Sequence, residues 1–485
     1  MLKRRLFQFA VLLTIGVCIG SAKELPDHQT DFPPEEFVER RDRIFDQIGD
    51  NAIVLLQAAA SVRGFNVFRQ SNQFYYLTGL ETPHSYLLMN GRNRQTILYL
   101  PHRDERLERG EGTSWSAQTP EEVKKLTGVD AVLGYDQLGK QFFRFLIKTP
   151  YPTLYTPFSP AEGTMVSRDE ALIGLARAIA DPWDEALSRE GRFINLIRTR
   201  FPQFEMKDLS PILDEMRLVK SEREIALIRR ASELAGLGII EAIRSTKPDV
   251  MEYQLDAAAR YIFRINGSRG PGYRSITAGG TNAWMGHYSQ NSSPVKDGDL
   301  ILMDFAPDYR YYTSDVARMW PVNGKFTPAQ RELYGFIVEY YKVLQKYIRP
   351  HVSADQIMDE AAAEMKKVFE STKFSKPIYE KACRDALTFR GHLSHPVGLA
   401  VHDVGTYRRA PIQPGTVFSI DPMIWVPEEK LYIRVEDVGV VTEDGFENFS
   451  SFVPTEIEDI EKLMQEEGIL QHKPTDDRTS EQLRR

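Results

Sequence analysis

Four acids in this chain sit where charge is rarely left in a globular protein, at the ends or in the middle of apolar strands. The stretch "DLILMDFAPDYRYYTSDVARM" (299–319) closes one apolar run on Asp304 and opens the next on Asp315, with "PDYR" as a turn between them. A hairpin folded about Tyr309–Arg310 would make the two acids cross-strand neighbours, with Cβ atoms about 5 Å apart. Like charges facing each other in a half-buried sheet need a shared proton, an arginine or a metal ion to offset their repulsion. Taken alone, such a pair reads as one acid turned to solvent. The pair is not alone. "VFSIDP" sets Asp421 at the end of another apolar run, and "YIRVEDVGVV" alternates so that Arg434 and Glu436 share one strand face. "RGHLSHPVGLAVHD" (390–403) adds His392, His395 and His402, three of the nine histidines. Hard oxygen ligands with one imidazole suit Mn2+, with Zn2+ and Co2+ as alternatives. Carboxylates beyond one ion's needs point to two ions sharing bridging ligands, a pair that activates a water and polarises a carbonyl.

Competing chemistries leave no trace in the sequence. There is no HExxH zinc-protease helix, no GxSxG nucleophile elbow and no GxxxxGK[ST] phosphate loop. "TAGGTN" (277–282) is too weak to read as a nucleotide loop.

The elements that must carry these residues are those of an α/β (α+β) protein. A charged helical stretch, "EEFVERRDRIFDQIG", leads into short apolar runs with strand character: "AIVLLQ", "FYYLTGL", "SYLLMN", "TILYL" and "AVLGY". They suggest a first α/β domain over 36–165. Residues 166–208 read as a helical linker region, and a second domain spans 209–465. Its entry helix, "SEREIALIRRASELAGLGIIEAI", repeats apolar residues at three and four, and Ser221 followed by Glu224 predicts a capping box. Helices also fit "PAQRELYGFIVEYYKVLQKYI" and "SADQIMDEAAAEMKKVF", while "DLILMDFAP", "TSDVARMW", "TVFSIDP" and "LYIRVEDVGVV" read as strands. The polar tail at 471–485 reads as loose.

At 485 residues the length suggests two or three domains, and 42% apolar with 27% charged residues is ordinary for a globular chain. The first 22 residues differ from the rest. "MLKRR" is a positive start, a fifteen-residue apolar run follows, and "GSA" precedes Lys23, the order of a cleaved secretory signal peptide. A membrane anchor is the alternative, but the run falls short of the roughly 20 residues a spanning helix needs. Lipid attachment at Cys18 is disfavoured by the bulky Val17. Cleavage removes Lys3, Arg4 and Arg5 and takes the net charge from −7 to −10. An acidic chain without a basic tract argues against nucleic acid or an anionic membrane as partner. Cys383 is then the one remaining thiol, so the exported protein uses no intrachain disulfide.

The stretches "DFAPDYRYYTSDVAR", "LSHPVGLAVHDVG", "DP" and "IRVEDVGVVT" occur in the order found in the pita-bread metallopeptidases. Within that fold the chain most resembles the Xaa-Pro aminopeptidase (aminopeptidase P) family. "FRQSNQFYYLTGLETPHSYLLM" is similar to that family's N-terminal domain, and "PVNGKFTPAQRELY" to a stretch that follows the second Asp. The resemblance implies two divalent ions: Asp304 binds one, Asp315 and Glu436 bridge both, and His395 and Asp421 hold the other. It implies that His287, seventeen residues before Asp304, contacts the substrate, that His402 lies near the prolyl residue, and that Arg434 supports the bridging Glu436. The implied reaction is hydrolysis, by a metal-activated water, of the bond between a first residue and a following proline. The implied substrates are peptides with proline at position 2, and family members associate into dimers or tetramers. Two departures stand out. The family usually has Glu where this chain has Asp421, whose arm is shorter by about 1.5 Å, and a histidine usual at Gly391 stands instead at His392. The rival readings are a proline dipeptidase and a catalytically weak or silent peptide-binding protein. His395 and His402, seven residues apart, would face opposite sides of a continuous strand, so "PVG" between them is expected to bend or bulge the chain.

Overall fold

The computed structural model describes residues 26–62, 64–149, 151–184 and 187–472. The signal-peptide reading on 1–22, Cys18 and most of the polar tail lie outside them. Among the described residues no helix is long and apolar enough to cross a membrane.

The first lobe is built on one mixed sheet. Helix α1 (Pro34–Ile48) precedes β1 (Ala52–Gln57), α2 (Asn72–Thr78), β2 (Tyr86–Asn90) and β3 (Gln95–Leu100). Then follow α3 (Glu105–Glu111), α4 (Pro120–Thr127), β4 (Ala131–Gly134), α5 (Leu138–Lys148) and β5 (Thr153–Thr156). The segment after it forms α6 (Arg168–Ala180), α7 (Arg189–Arg200) and β6 (Glu205–Asp208). The strand order is β4-β3-β2-β1-β5-β6, so β6 pairs with β5 and completes this sheet from within the stretch read as a linker. One strand reading fails here. "FYYLTGL" is largely α2, every residue of which is buried, capped by Gly79 in the left-handed region at φ 65°. A short element buried on all sides shows no period that separates helix from strand.

The second lobe starts with α8 (Ser210–Leu218) and the long helix α9 (Glu222–Ser245). Ser221 and Glu224 form the expected capping box at its start, worth about 1 kcal/mol. Ile225, Ile228, Leu234, Ile239 and Ile243 make its apolar stripe, all of them buried. Helix α10 (Glu252–Ile265) packs on α9, and the strands β7 (Gly270–Pro271), β8 (Ile276–Gly279), β9 (Leu300–Asp304), β10 (Pro307–Asp308) and β11 (Ala317–Pro321) follow. Three helices, α11 (Pro328–Tyr347), α12 (Ala354–Ser371) and α13 (Pro377–Thr388), lead to β12 (Leu393–Pro396), β13 (Val417–Ile420) and β14 (Met423–Val426). The chain continues through β15 (Leu431–Arg434), β16 (Asp437–Val441) and β17 (Phe446–Asn448) to α14 (Ile457–Leu463). Two sheets, β11-β9-β8 and β12-β13-β16-β17, are joined by a bridge between Ala317 and Glu436.

Two details of register differ from the sequence reading. Asp304 pairs with Ala317 and Tyr309 bridges Tyr312, so the hairpin turns on Arg310 and Tyr311 rather than on Tyr309–Arg310. Both turn residues take positive φ, 52° and 78°, a conformation disfavoured for non-glycine residues. Tertiary contacts hold it: Tyr311 stacks on Tyr75 with ring centroids 3.5 Å apart, and its hydroxyl receives the N–H of Gln70 at 2.9 Å. The slip is two residues, so Asp315 keeps the same face as Asp304 and becomes its diagonal neighbour. Likewise "LYIRVEDVGVV" is two strands: β15 pairs with β14 and β16 with β13, and the chain changes sheet at Val435–Glu436.

The lobes share a core. Phe32, Phe37 and Tyr76 of the first lobe pack in one cluster with Tyr311, Tyr312, Val397 and Leu399 of the second. Arg69 spans the seam, donating to Asp308 at 2.7 Å, to Tyr311 O at 3.0 Å and to Leu399 O at 3.2 Å.

Candidate active site

Each candidate side chain is placed by a nearby framework. Asp304 ends β9, the middle strand of its sheet, and Glu436 occupies the crossing between β15 and β16. That crossing is pinned by Arg318, fully buried, whose Nη1 donates to Glu436 O at 2.8 Å and whose Nη2 meets both oxygens of Asp437 at 3.0 Å. The loop carrying His287 hangs on Glu252, a fully buried carboxylate. Its oxygens receive Gly279 N (2.8 Å), Asn282 Nδ2 (2.9 Å), Tyr288 Oη (2.8 Å) and Ser293 N (2.9 Å). Those bonds compensate the burial of its charge.

The eight predicted site residues form one connected set. Rings of His287 and His402 lie 6.1 Å apart, and those of His402 and His395 4.2 Å apart. His395 Nε2 is 3.3 Å from Asp315 Oδ2. Tyr273 Oη lies 2.6 Å from Asp304 Oδ1 and 2.9 Å from Asp315 Oδ1. Arg434 gathers the rest: Nη1 donates to Asp304 Oδ2 (2.9 Å), Nε to Asp421 Oδ1 (2.9 Å) and Nη2 to Asp421 Oδ2 (2.8 Å). Nη2 also contacts Glu436 Oε2. The bend expected between His395 and His402 is present: the strand ends at Pro396 and the chain bends from Gly398 to His402. The register slips within β12, between Leu393 and Pro396, and the chain then loops back so that Asp403 N donates to Pro396 O at 2.9 Å.

Electrostatics favour a cation here. Burial, and then the neighbouring Asp304 charge, push Asp315 well above the usual carboxylate range. Burial raises Glu436 and Asp421 as well, with Arg434 opposing it at each. Burial works against a charged Arg434, but Asp421 and Glu436 outweigh it and keep the guanidinium protonated. The ligating atoms of Asp315, His395 and Glu436 lie within 4.8 Å of one another, and Glu436 Oε1 is buried without a hydrogen-bond partner. His395 Nδ1 donates to Pro396 O at 3.2 Å, which leaves Nε2 with its lone pair on the Asp315 side. Burial and the adjacent His402 lower the His395 pKa to about 3, so the ring is the neutral imidazole that a metal needs. An orphaned carboxylate oxygen and a neutral imidazole among excess acids fit a divalent ion. Asp304 and Asp421 meanwhile direct oxygens to Arg434.

His392 separates from this group. It is fully buried between the rings of Tyr340 and Phe389, and its Nε2 donates to Ala386 O at 2.7 Å. It serves the site through its backbone, whose carbonyl receives Asp421 N at 2.7 Å.

Residues 226–443 match the profile of Metallopeptidase family M24, and residues 37–155 match that of Aminopeptidase P, N-terminal domain. The Xaa-Pro aminopeptidase of Escherichia coli is 31% identical over 456 residues, covering 89% of this chain and 97% of that protein. The chain belongs to the aminopeptidase P family. It is a metal-dependent aminopeptidase with an aminopeptidase P N-terminal domain and a pita-bread catalytic domain. The Xaa-Pro aminopeptidase of Haemophilus influenzae is 30% identical, with 89% of this chain and 97% of that protein aligned. The fold is similar to that of E. coli aminopeptidase P with the inhibitor Pro-Leu, with a TM-score of 0.71, 27% identity and coverage of 91% and 100%. It is likewise similar to the Zn-substituted E. coli enzyme in complex with product, with a TM-score of 0.71, 28% identity and coverage of 90% and 98%. Family membership thus supports a divalent-metal centre in these residues.

Sequence reasoning passed over two polar residues that touch the site. Tyr273 lies in "GPGYRS", where nothing distinguishes it from a core tyrosine. Asp169 belongs to the first lobe, and its carboxylate Oδ2 sits 2.6 Å from His402 Nδ1. It carries no local signal, because the contact spans 233 positions of sequence.

Proposed function

We propose that the protein removes the first residue from peptides with proline at position 2, and that it does so with two Mn2+ ions. We propose further that Asp304, Asp315, His395, Asp421 and Glu436 hold the ions, that His287, His402 and Arg434 act beside them, and that the protein is exported as a homo-oligomer. The observation that carries the reading is the set Asp315, His395 and Glu436, with its unpartnered Glu436 Oε1, beside a recess that Asp315 lines together with Asp304, His287 and His402. Ions bound there would supply Lewis-acid polarisation of the scissile carbonyl and a nucleophile from water at neutral pH.

The chain's own groups do the remainder. Arg434 holds Asp304, Asp421 and Glu436 in fixed orientation through charge-assisted hydrogen bonds. Tyr273 Oη, kept protonated by burial and by Asp304 and Asp315, donates within that pair of acids. His402, with Nδ1 held by Asp169, has Nε2 as its remaining polar atom for the peptide. His287 is exposed and lines the same recess, its ring 6.1 Å from that of His402, suited to contact the incoming chain. The presence of Asp at 421 is matched locally, since its two oxygens take two parallel N–H groups of Arg434. The sign of the ligand set favours Mn2+ over softer ions, and the E. coli relative accepts zinc. The apolar run of residues 6–20 behind a basic start supports export.

The test is to strip the purified protein with a chelator, titrate Mn2+, count bound metal by atomic emission, and assay Xaa-Pro-Yaa tripeptides beside Xaa-Pro dipeptides. The proposal expects two ions per chain and release of the first residue from the tripeptide. Cleavage of the dipeptide alone would make the protein a proline dipeptidase. Absence of both metal uptake and cleavage would refute the reading.

A further inference from the structure

The amino end of α6, from the first lobe, lies over the catalytic recess. Ser167 Oγ receives the backbone N–H of His402 at 3.2 Å, Asp169 Oδ2 sits 2.6 Å from His402 Nδ1, and Glu170 lines the recess itself. Hydrophobic packing does not hold α6 there. Arg168 is its one buried residue, while Leu172, Ile173 and Ile179 are exposed. A buried ion chain holds it instead. Arg168 Nε donates to Glu162 Oε1 at 2.6 Å, Arg217 Nη1 donates to Glu162 Oε2 at 2.8 Å, and Arg217 Nη2 contacts Asp403 Oδ1. Lys220 Nζ lies 3.4 Å from Asp403 Oδ2, and Arg168 also donates to Asp214 at 3.1 Å. The path from Arg168 to Asp403 thus runs through Glu162 and Arg217, with Asp214 and Lys220 attached at its two ends. Arg168 and Asp403 are the chain neighbours of Asp169 and His402.

We propose that Asp169 is a positioning residue of the active site, a first-lobe carboxylate that fixes the ring of His402, and that the buried chain Arg168–Glu162–Arg217–Asp403 sets their distance. The carboxylate is an acceptor, so it holds a proton on Nδ1 and directs Nε2 to the peptide. The inference rests on reading His402 as the substrate-side histidine.

The test uses the full metal-loaded chain. The expected result for Asp169→Asn is a fall in kcat of about ten- to a hundredfold, the usual effect of losing an outer-shell partner, with KM near the parent value. The Asp169→Asn/His402→Ala double variant is expected to be no slower than His402→Ala alone, because the carboxylate acts through that ring. Histidine-selective 15N spectra of the chelated protein give a readout free of activity: Asp169→Ala should shift the Nδ1 resonance of His402. Wild-type kinetics and an unmoved resonance in the Asp169 variants would overturn the proposal. So would equal, additive losses in the double variant. If His402→Ala alone were harmless while the resonance still moved in Asp169→Ala, the catalytic reading of His402 would fall and the positioning contact would stand.

Discussion

Replacing Arg434 by Met tests the electrostatic account of the site most directly. The guanidinium, 6% exposed, is the cation that contacts Asp304, Asp421 and Glu436 through four hydrogen bonds. Methionine keeps much of the stem volume and removes the charge. Four charge-assisted bonds at about 1.5–3 kcal/mol each would overstate the loss, because stranded carboxylates escape by taking up protons. Removing one partner of a buried ionic group costs about 3–5 kcal/mol. For a unit of some 250 residues that corresponds to a melting point lower by about 6–20 °C. The assay is scanning calorimetry of the chelated Arg434→Met and parent proteins, repeated with Mn2+. A bound ion at a hundred times its Kd returns about 2.7 kcal/mol and takes over the compensation, so the gap is expected to narrow with metal. A gap under 2 °C in chelator, or one that widens with Mn2+, would refute the reasoning, since either means the acids do not depend on this arginine.

Three further outcomes follow from the same geometry. Burial raises the pKa values of Asp315, Asp421 and Glu436, so a metal competes with protons for these oxygens. Metal uptake by the chelated protein should therefore release protons and tighten as pH rises from 5 to 8, read by calorimetry in buffers of different ionisation enthalpy; pH-independent affinity would contradict it. Burial lowers His392 to about 4 from 6.5. The fold favours the neutral ring, so its contribution is complete above pH 6.5 and is lost as pH falls toward 4, by about 3 kcal/mol. His392→Phe should flatten that part of the stability–pH curve while leaving kcat near the parent value. Asp421→Glu adds a methylene beside Arg434 in a packed site and should destabilise the chelated protein by about 1–3 kcal/mol. A higher melting point for that variant would show that room exists for the longer arm.

The chemistry of the site was legible because buried strands advertise misplaced charge. Asp304, Asp315, Asp421 and Glu436 interrupt apolar runs, and the structure gathers them around Arg434 and Tyr273. What escaped the sequence depends on distant parts of the chain. The hairpin turned one residue later than its Pro-Asp suggested, which shifts the pairing by two, because Tyr311 is held by Tyr75 and Gln70 from the other lobe. The run through Arg434 and Glu436 alternated like one strand, yet it changes sheet at Val435–Glu436, where the bridge of Glu436 to Ala317 competes with straight extension. "FYYLTGL" lacked a polar face that would reveal its period. Asp169 and Tyr273 had no local mark at all.

The shared core between the lobes bears on how the chain is made. The surface around Phe32, Phe37 and Tyr75 is complete once the first sheet forms, but its covering residues, Tyr311, Tyr312 and Leu399, are synthesised some 100 to 190 residues after β6 ends that sheet. Until they arrive, an aromatic face stands open to water and to other chains. A fragment ending near Asp208 should thus be sticky rather than free-standing, and a newly made chain should depend on a holding chaperone during that interval.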